Sequence, residues 1–437
     1  MTRSFLPSSI QSAFNMANLR NRLSFPISVL KHQPWPQSAA LAPKLDIQEP
    51  VEEEKTPYYS PARFYPARLG EVLNGRYQLA TKLGHGSNST VWLARDLNQW
   101  RWLKGKYVTV KINANIRQSH KRTARSELDT LRILSKTNRH HQGWQFVRHL
   151  LDSFTLKSNS GNDHLSLVLE PLREPLWIYQ KRFGGIIPSD ILKLIIQMIL
   201  HGLDYMHSEC RIIHADLKPD NIMVKLEDPS LLEEAAADEF KNPLPQKVYP
   251  DGRTIYLARN NYGPPRSTTG IIRIVDFDQS VRGDKPNSGC IQAEVYRPPE
   301  VILDAGYSYS ADIWSLGVML WDIIEDRKLF ENVYSVATDE YDEAGHLAHI
   351  AALLGSPPKD LLDRGKRTHL FYGPEGICKS QAPPSFNFNN MLVHLHGEDK
   401  NMFITFIKRM LKWEPEERST AKELLQDPWL YAEFEED

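Results

Sequence analysis

Cysteine is scarce. Only Cys210, Cys290 and Cys378 occur in 437 residues, too few and too scattered for a disulfide framework or a zinc site, so free thiols in a reducing compartment are expected. Long hydrophobic runs are also missing. A bilayer span needs roughly 18 apolar residues, and the longest greasy stretch, Ile191 to Met206, is broken by Lys193, Gln197, His201 and Asp204. Net charge is nearly absent, at −1. A bulk attraction to nucleic acid or to a membrane surface is thereby excluded, and any electrostatic preference must come from local patches. What remains is an ordinary globular composition, 24% charged and 41% hydrophobic, in a chain long enough for more than one compact unit.

Acids are missing from the first 44 residues, which carry Arg3, Arg20, Arg22, Lys31, Lys44 and many serines. That pattern fits a mitochondrial transit peptide or a disordered tail that lacks acids; Pro7, Pro26, Pro34 and Pro36 limit any helix there. Residues 1–55 are therefore expected to be a disordered or targeting tail. The run Val51-Glu-Glu-Glu-Lys-Thr-Pro57 reads as a solvated linker.

From Tyr77 to about Glu170 the chain consists of short β-branched or aromatic runs, such as Ser89-Thr-Val-Trp-Leu93, Tyr107-Val-Thr-Val-Lys-Ile112 and Leu165-Ser-Leu-Val-Leu169. One helical segment interrupts them, with Leu128, Leu131 and Leu134 at helical spacing. After Pro171 the pattern turns helical. Ser189-Asp190 follows Pro188 and opens an apolar-striped helix, and further helices are expected near 312–324, 343–354, 402–411 and 420–425. The spacing predicts an α+β, bilobal chain: a small β-rich lobe with its lead-in over 56–173, a hinge near Glu170–Arg173, and a larger α-rich lobe over 174–437 with an insertion at about 226–268.

The residues that carry chemistry fall in order along this frame. Leu83-Gly84-His85-Gly86-Ser87-Asn88-Ser89-Thr90-Val91 lies between two expected strands, and its glycines let backbone N–H groups approach phosphate oxygens. Lys111 faces inward from the strand two further on. A buried ammonium needs a carboxylate, and the next helix offers two. Glu127 shares a face with Leu131 and Leu134, and Asp129 is the competing choice. Then comes His214-Ala215-Asp216-Leu217-Lys218-Pro219-Asp220-Asn221. A carboxylate, a lysine two residues on and an asparagine five residues on suit the orienting of a hydroxyl, the neutralising of a phosphate and the ligation of a divalent cation. A second metal ligand, Asp276, ends the strand Ile271-Ile-Arg-Ile-Val275 and precedes Phe277 and Asp278. Tyr296-Arg-Pro-Pro-Glu300 resembles the segment with which protein kinases shape a platform for a peptide, and Glu300 would need a buried cation, for which Arg418 is the candidate. Asp312 opens a buried helix, where its acid can tie down the loop carrying Asp216.

Residues from about Tyr77 to Leu430 resemble a protein kinase domain. Within that superfamily the chain is similar to the SR-protein kinases, in the branch common in fungi. The stretches that carry the likeness are Asn88-Ser-Thr-Val-Trp-Leu93, Gly202-Leu-Asp-Tyr-Met-His207, Cys210-Arg-Ile-Ile-His-Ala-Asp216, Tyr309-Ser-Ala-Asp-Ile-Trp-Ser315 and His346-Leu-Ala-His-Ile-Ala-Ala-Leu-Leu-Gly355. The 54 residues between Asn221 and Asp276, where a compact kinase needs about a dozen, match the spacer of that family. The resemblance implies a bilobal kinase fold using ATP and Mg2+. It assigns catalysis to Asp216 and Lys218, metal ligation to Asn221 and Asp276, and nucleotide contact to Leu83, Gly84, Gly86, Ser89, Val91, Lys111, Glu127, Glu170 and Leu172. It implies phosphorylation of serine, and of threonine as a secondary acceptor, in Arg/Ser-rich splicing factors, by a monomer that contacts neither nucleic acid nor membrane directly. Residence in cytoplasm and nucleus follows, with the mitochondrion as the alternative from the acid-free N-terminus. A pseudokinase scaffold is the competing function. Departures from the family pattern are Ser89 for a glycine, Ala215 for an arginine and Asp278 for a glycine.

Two further expectations concern the large lobe. Asp322 to Glu343 holds eight acids (Asp322, Glu325, Asp326, Glu331, Asp339, Glu340, Asp342, Glu343) against Arg327 and Lys328, either a solvated loop or a docking surface for Arg-rich substrates. Ala215, together with few hydroxyls between Asp276 and Glu300, points to activity without a loop phosphate.

Overall fold

A computed structural model describes residues 30–57, 59–115, 121–266, 270–334, 338–383 and 385–434. The acid-free stretch carrying Arg3, Arg20 and Arg22 lies outside the described residues.

The small lobe is a six-stranded antiparallel sheet of β1 (Val72–Leu73), β2 (Tyr77–Gly86), β3 (Ser89–Asp96), β4 (Tyr107–Asn113), β5 (Leu150–Lys157) and β6 (Asp163–Leu169). Their order is β1-β2-β3-β4-β6-β5. Helix α1 (Lys121–Lys136) packs Leu128, Leu131 and Leu134 into the core, the face its spacing assigns to burial. Val91 pairs with Lys111 across β3 and β4, and Lys111 with Leu167 across β4 and β6.

Past the hinge come β7 (Leu172–Pro175), α2 (Leu176–Lys181) and α3 (Ser189–Asp204), which buries Leu192, Ile195, Ile196, Ile199, Leu200 and Leu203. Two short strands, β8 (Ile212–Ile213) and β9 (Ile222–Lys225), bracket the loop of Asp216. An insertion follows, made of α4 (Ser230–Lys241) and the hairpin β10 (Gln246–Val248) and β11 (Thr254–Tyr256). The chain then re-enters through β12 (Ile272–Ile274), which lies in the order β12-β9-β7 and so sets Asp276 beside Asn221. Strand β13 (Val281–Arg282) pairs with β8. After α5 (Pro299–Ile302), helix α6 (Ser310–Glu325) forms the axis of the large lobe. It is mostly apolar and buried on nearly every side, with Asp312, Asp322 and Glu325 as its acids. Helix α7 (Glu343–Leu354) and the C-terminal helices close round it. Among the described residues, no helix is long and apolar enough to cross a membrane.

Two arrangements differ from expectation. Residues 30–55 are not a free tail but a strap on the small lobe. Trp35 lies 4.2 Å from the Arg95 guanidinium and edge-on to Phe240 at 5.4 Å. Its amide donates to Gln78 Oε1 at 2.8 Å, and Leu45 N donates to Gln246 O at 2.8 Å. The strap holds through Trp35 on the buried Arg95 and Gln78 and through Glu53 and Glu54, which accept from the buried Lys82 and Lys247. The insertion, though it leaves the chain in the large lobe, packs back on the small one: Leu232 and Ala236 of α4 join Ala80, Leu93 and Tyr107 in one cluster.

Candidate active site

The β2–β3 hairpin turns tightly, with Gly86 opposite Ser89. A Cβ on Gly86 would come within 3.3 Å of Ser89 Oγ, while one on Gly84 would meet nothing within 4 Å. Gly84 therefore leaves open space for close approach of a ligand. Ser89 sits outside the left-handed region, so the missing third glycine places no strain on the loop. Leu83 packs toward the cluster of Ala80 and Leu232.

Lys111 on β4 donates to Glu127 Oε1 at 2.7 Å and to Asp276 Oδ1 at 3.0 Å. Asp129 points outward to Arg132 at 3.4 Å, so helical phase selects Glu127 and the competing choice falls. Burial would lower the Lys111 ammonium, but the Asp276 and Glu127 carboxylates outweigh it and hold it above its ordinary value. Lys111 in turn holds the Asp276 carboxyl below the usual range despite burial.

The loop below is braced from both ends. Lys218 Nζ donates to Asp216 Oδ2 at 2.8 Å, and Asn221 Nδ2 donates to Asp216 O at 2.8 Å and Oδ2 at 3.0 Å. His214 Nε2 donates to Val275 O at 2.9 Å, its Nδ1 accepts from Asp216 N at 3.2 Å, and its ring meets Phe277 at 5.5 Å. Asp312 accepts from His214 N at 2.7 Å, Ala215 N at 3.0 Å and His207 Nε2 at 2.8 Å. Burial would raise its carboxyl, yet these donors keep it below the ordinary value. Ala215 and Asp276 stand at φ 64° and 63°, left-handed positions that non-glycine residues hold only under strong constraint, as active sites impose. Asp278 stands outside that region, so it adopts its backbone conformation without the freedom of glycine.

The platform is anchored in the core. Arg418 grips Glu300 with two bonds of 2.7 Å and stacks 4.9 Å from the Trp314 ring. The Tyr296 hydroxyl donates to Asp322 Oδ2, and burial pushes the Asp322 carboxyl up to about 7. At the hinge, Glu170 Oε1 accepts from Arg273 Nε at 2.7 Å and its carbonyl accepts from Arg148 Nη2 at 2.7 Å, while Leu172 is buried. Sequence reasoning missed Arg148, and it counted Asp322 among acids open for docking where the structure binds it to Tyr296. A lone cation in the apolar run Phe146-Val147-Arg148-His149-Leu150 was the available signal for Arg148. Burial depresses its guanidinium to about 10.

The donor set fits a hard divalent cation shared with phosphate. The Asp276 carboxylate is ionised, and the Asn221 amide nitrogen is engaged by Asp216, which leaves its oxygen as the ligating atom. Among the described residues no group of three or more His, Cys, Asp or Glu forms a self-sufficient metal cage. Two oxygen ligands plus substrate phosphates is the arrangement Mg2+ accepts.

A protein kinase domain matches residues 77–430. A serine/threonine protein kinase of Aspergillus fumigatus is 36% identical over 394 residues, covering 90% of this chain and 93% of the relative. The serine/threonine-protein kinase SRPK of Physarum polycephalum is 29% identical over 406 residues, covering 87% and 91%. A solved kinase-domain crystal structure superposes with a TM-score of 0.63 at 22% identity, covering 84% of this chain and 98% of that one, a likeness of fold.

Proposed function

The chain belongs to the protein kinase family as an SRPK-like serine/threonine kinase, and from that premise we propose that it uses ATP with Mg2+ to phosphorylate serines in Arg/Ser-rich segments of splicing factors. The observation that carries the reading is the joined set at the lobe interface: Lys111 bonded to Glu127 and Asp276, and Asp216 bonded to Lys218 and Asn221. A pseudokinase scaffold usually lacks one or more of these residues, and here all are present and joined, which supports the enzyme reading.

The residues divide the work. Asp216 orients the acceptor hydroxyl and takes its proton. Lys218 sits against Asp216 and neutralises charge on the group in transfer, and Lys111 does so from above. Gly84 and Gly86 aim backbone N–H groups at phosphate oxygens from the hairpin, with Leu83, Ser89 and Val91 around them, while Glu170 and Leu172 line the base site. Asn221 and Asp276 hold the cation, which when bound supplies charge neutralisation at the phosphates. Work on splicing factors agrees with residence in cytoplasm and nucleus.

Substrate choice rests on which acids are free to act. Glu343 is spent on Arg367 at 2.9 Å and Glu325 on the Val393 amide at 2.9 Å. Asp322 is bound to Tyr296. Asp342 is half-buried, and Asp326, though exposed, accepts from Gln180 Nε2 at 3.4 Å. Glu331, Asp339 and Glu340 are exposed and form the acidic surface on which a cationic substrate docks. Asp339 stands at φ 55°, so asparagine, which tolerates that region, is the clean replacement. Asp339→Asn with Glu340→Gln raises KM for Arg/Ser peptides about fivefold at low salt, less at high salt, and leaves basal ATP hydrolysis unchanged. An unchanged KM removes these residues from recognition.

Activity needs no loop phosphate. The Gln292 amide donates to Ala215 O at 3.0 Å, tying the activation segment to the catalytic loop at the position where an arginine would otherwise wait for phosphate. Ser280 is buried with its hydroxyl on His214 O at 3.2 Å, and Tyr296 is buried in the platform. The third hydroxyl between Asp276 and Glu300, Ser288, is exposed. Phosphatase-treated protein and Ser288→Ala both keep wild-type turnover within about twofold; loss of activity on dephosphorylation, restored by rephosphorylation, contradicts this.

A further inference from the structure

The run Val51–Pro57 reads as a solvated linker, yet all three of its consecutive carboxylates have work. Glu52–Lys55 form one 3-10 turn. Glu53 accepts from Lys82 Nζ, a side chain with no exposure at all (0%). Glu52 Oε2 lies 3.4 Å from the same nitrogen and 3.8 Å from His85 Nε2, while Glu52 Oε1 accepts from Ala258 N at 3.0 Å. Glu54 accepts from Lys247 Nζ at 2.6 Å and from the Tyr249 hydroxyl. Lys82 completes the knot by donating to Tyr256 O at 2.9 Å. Three segments far apart in sequence therefore meet at this turn: the strap, strand β2 and the inserted hairpin. Glu52 itself stands at φ 53°, a strained conformation for a glutamate, held because each carboxylate is engaged.

Lys82 and His85 flank and enter Leu83–Val91, the glycine loop. The far side of that loop is held by the same lead-in segment: Arg63 Nη2 donates to Asn88 Oδ1 at 2.6 Å, and Asn115 N donates to Arg63 O at 2.6 Å. The loop is gripped at its root by Glu52 and Glu53 and near its tip by Arg63. We infer that the acidic turn Glu52–Glu54 is a positioning element for the nucleotide phosphates: it sets the height of the glycine loop, so nucleotide affinity depends on residues that precede the matched domain of 77–430 and on the insertion that shares the turn. This rests on the reading of Leu83–Val91 as the phosphate cover.

A purely structural brace and a positioning element part company in kinetics. In the full chain, Glu53→Ala raises KM for ATP and Kd for ADP with Mg2+ about tenfold, the loss of one charge-assisted bond acting through the loop. Values of kcat and of KM for the peptide stay within about twofold. Glu53→Gln, which keeps the shape and one acceptor oxygen, falls between wild type and alanine. Should Glu53→Ala fail to fold, Glu52→Gln, whose carboxylate is partly exposed, carries the same test through His85 and Lys82. A lower melting temperature with the nucleotide constants unchanged overturns the inference, as does a common shift of kcat and both KM values. Gly86→Val tests the underlying reading separately: if it leaves KM for ATP unchanged, the loop is not the phosphate cover, whatever Glu53 does.

Discussion

Lys111→Ala, Asp216→Asn and Asp276→Asn each lower kcat for peptide phosphorylation about 10³-fold. The melting transition of the two asparagine variants stays near that of the wild type, while Lys111→Ala stays cooperative but melts lower, because it strands the buried Glu127 carboxylate. The size follows from what each side chain holds. Lys111 is the cation between Glu127 and Asp276, at 2.7 and 3.0 Å; removing it leaves two carboxylates facing each other and no charge above the phosphates. Asp216 is the acid to which both Lys218 and Asn221 are bonded, at 2.8 and 3.0 Å; the amide keeps the shape and removes the proton acceptor. Asp276 sits at φ 63°, and asparagine is among the residues that tolerate that region, so the loss reads metal ligation rather than misfolding. The three effects combine far less than additively, because each variant disables the same transition state. Wild-type-like turnover in any one of them removes that residue from the chemistry.

The largest expected effect on stability lies away from the reaction. Arg418→Ala costs roughly 3–5 kcal/mol, because it strands the Glu300 carboxylate in the core without a counter-charge. Glu300 and Arg418 side chains are 1% and 0% exposed, and the pair is held by two bonds of 2.7 Å, with Ser310 O taking a third at 3.1 Å. Glu300→Ala is comparably damaging by the same reasoning. The double variant Glu300→Gln, Arg418→Met recovers a large share, since it removes both charges instead of one. Denaturant unfolding of Glu300→Gln, Arg418→Met and the double variant makes the cycle, with the two alanine variants alongside; alanine losses below about 1 kcal/mol contradict the burial argument.

The parts legible in the sequence are those whose chemistry demands close spacing. Asp216, Lys218 and Asn221 fall within six residues, and a short strand carries Asp276, so each appears as a local motif. Glu127 was legible through helical phase: burial of Leu131 and Leu134 turns it inward and Asp129 outward. The knot of Glu53 with Lys82 and Tyr256 was not legible. Its members are separated by long stretches of chain, and three glutamates before Lys55-Thr-Pro57 look like any hydrated linker until a buried ammonium is placed opposite. Arg148 escaped for a similar reason, since its partner is a backbone carbonyl, which leaves no mark on the sequence. The return of the insertion to the small lobe depends on tertiary packing of Leu232 and Ala236 against Ala80 and Leu93, which helical periodicity alone cannot direct.

The central claim is transfer of phosphate to serine in arginine-rich sequence. It is tested most directly by presenting the purified full chain, with ATP and Mg2+, to a peptide array of Arg/Ser-rich, acidic and proline-directed members, with Asp216→Asn alongside. The account predicts label on serines of the Arg/Ser peptides, weakened by salt and absent with Asp216→Asn. Equal labelling of all three classes, preference for acidic or proline-directed peptides, or label that survives Asp216→Asn would contradict it.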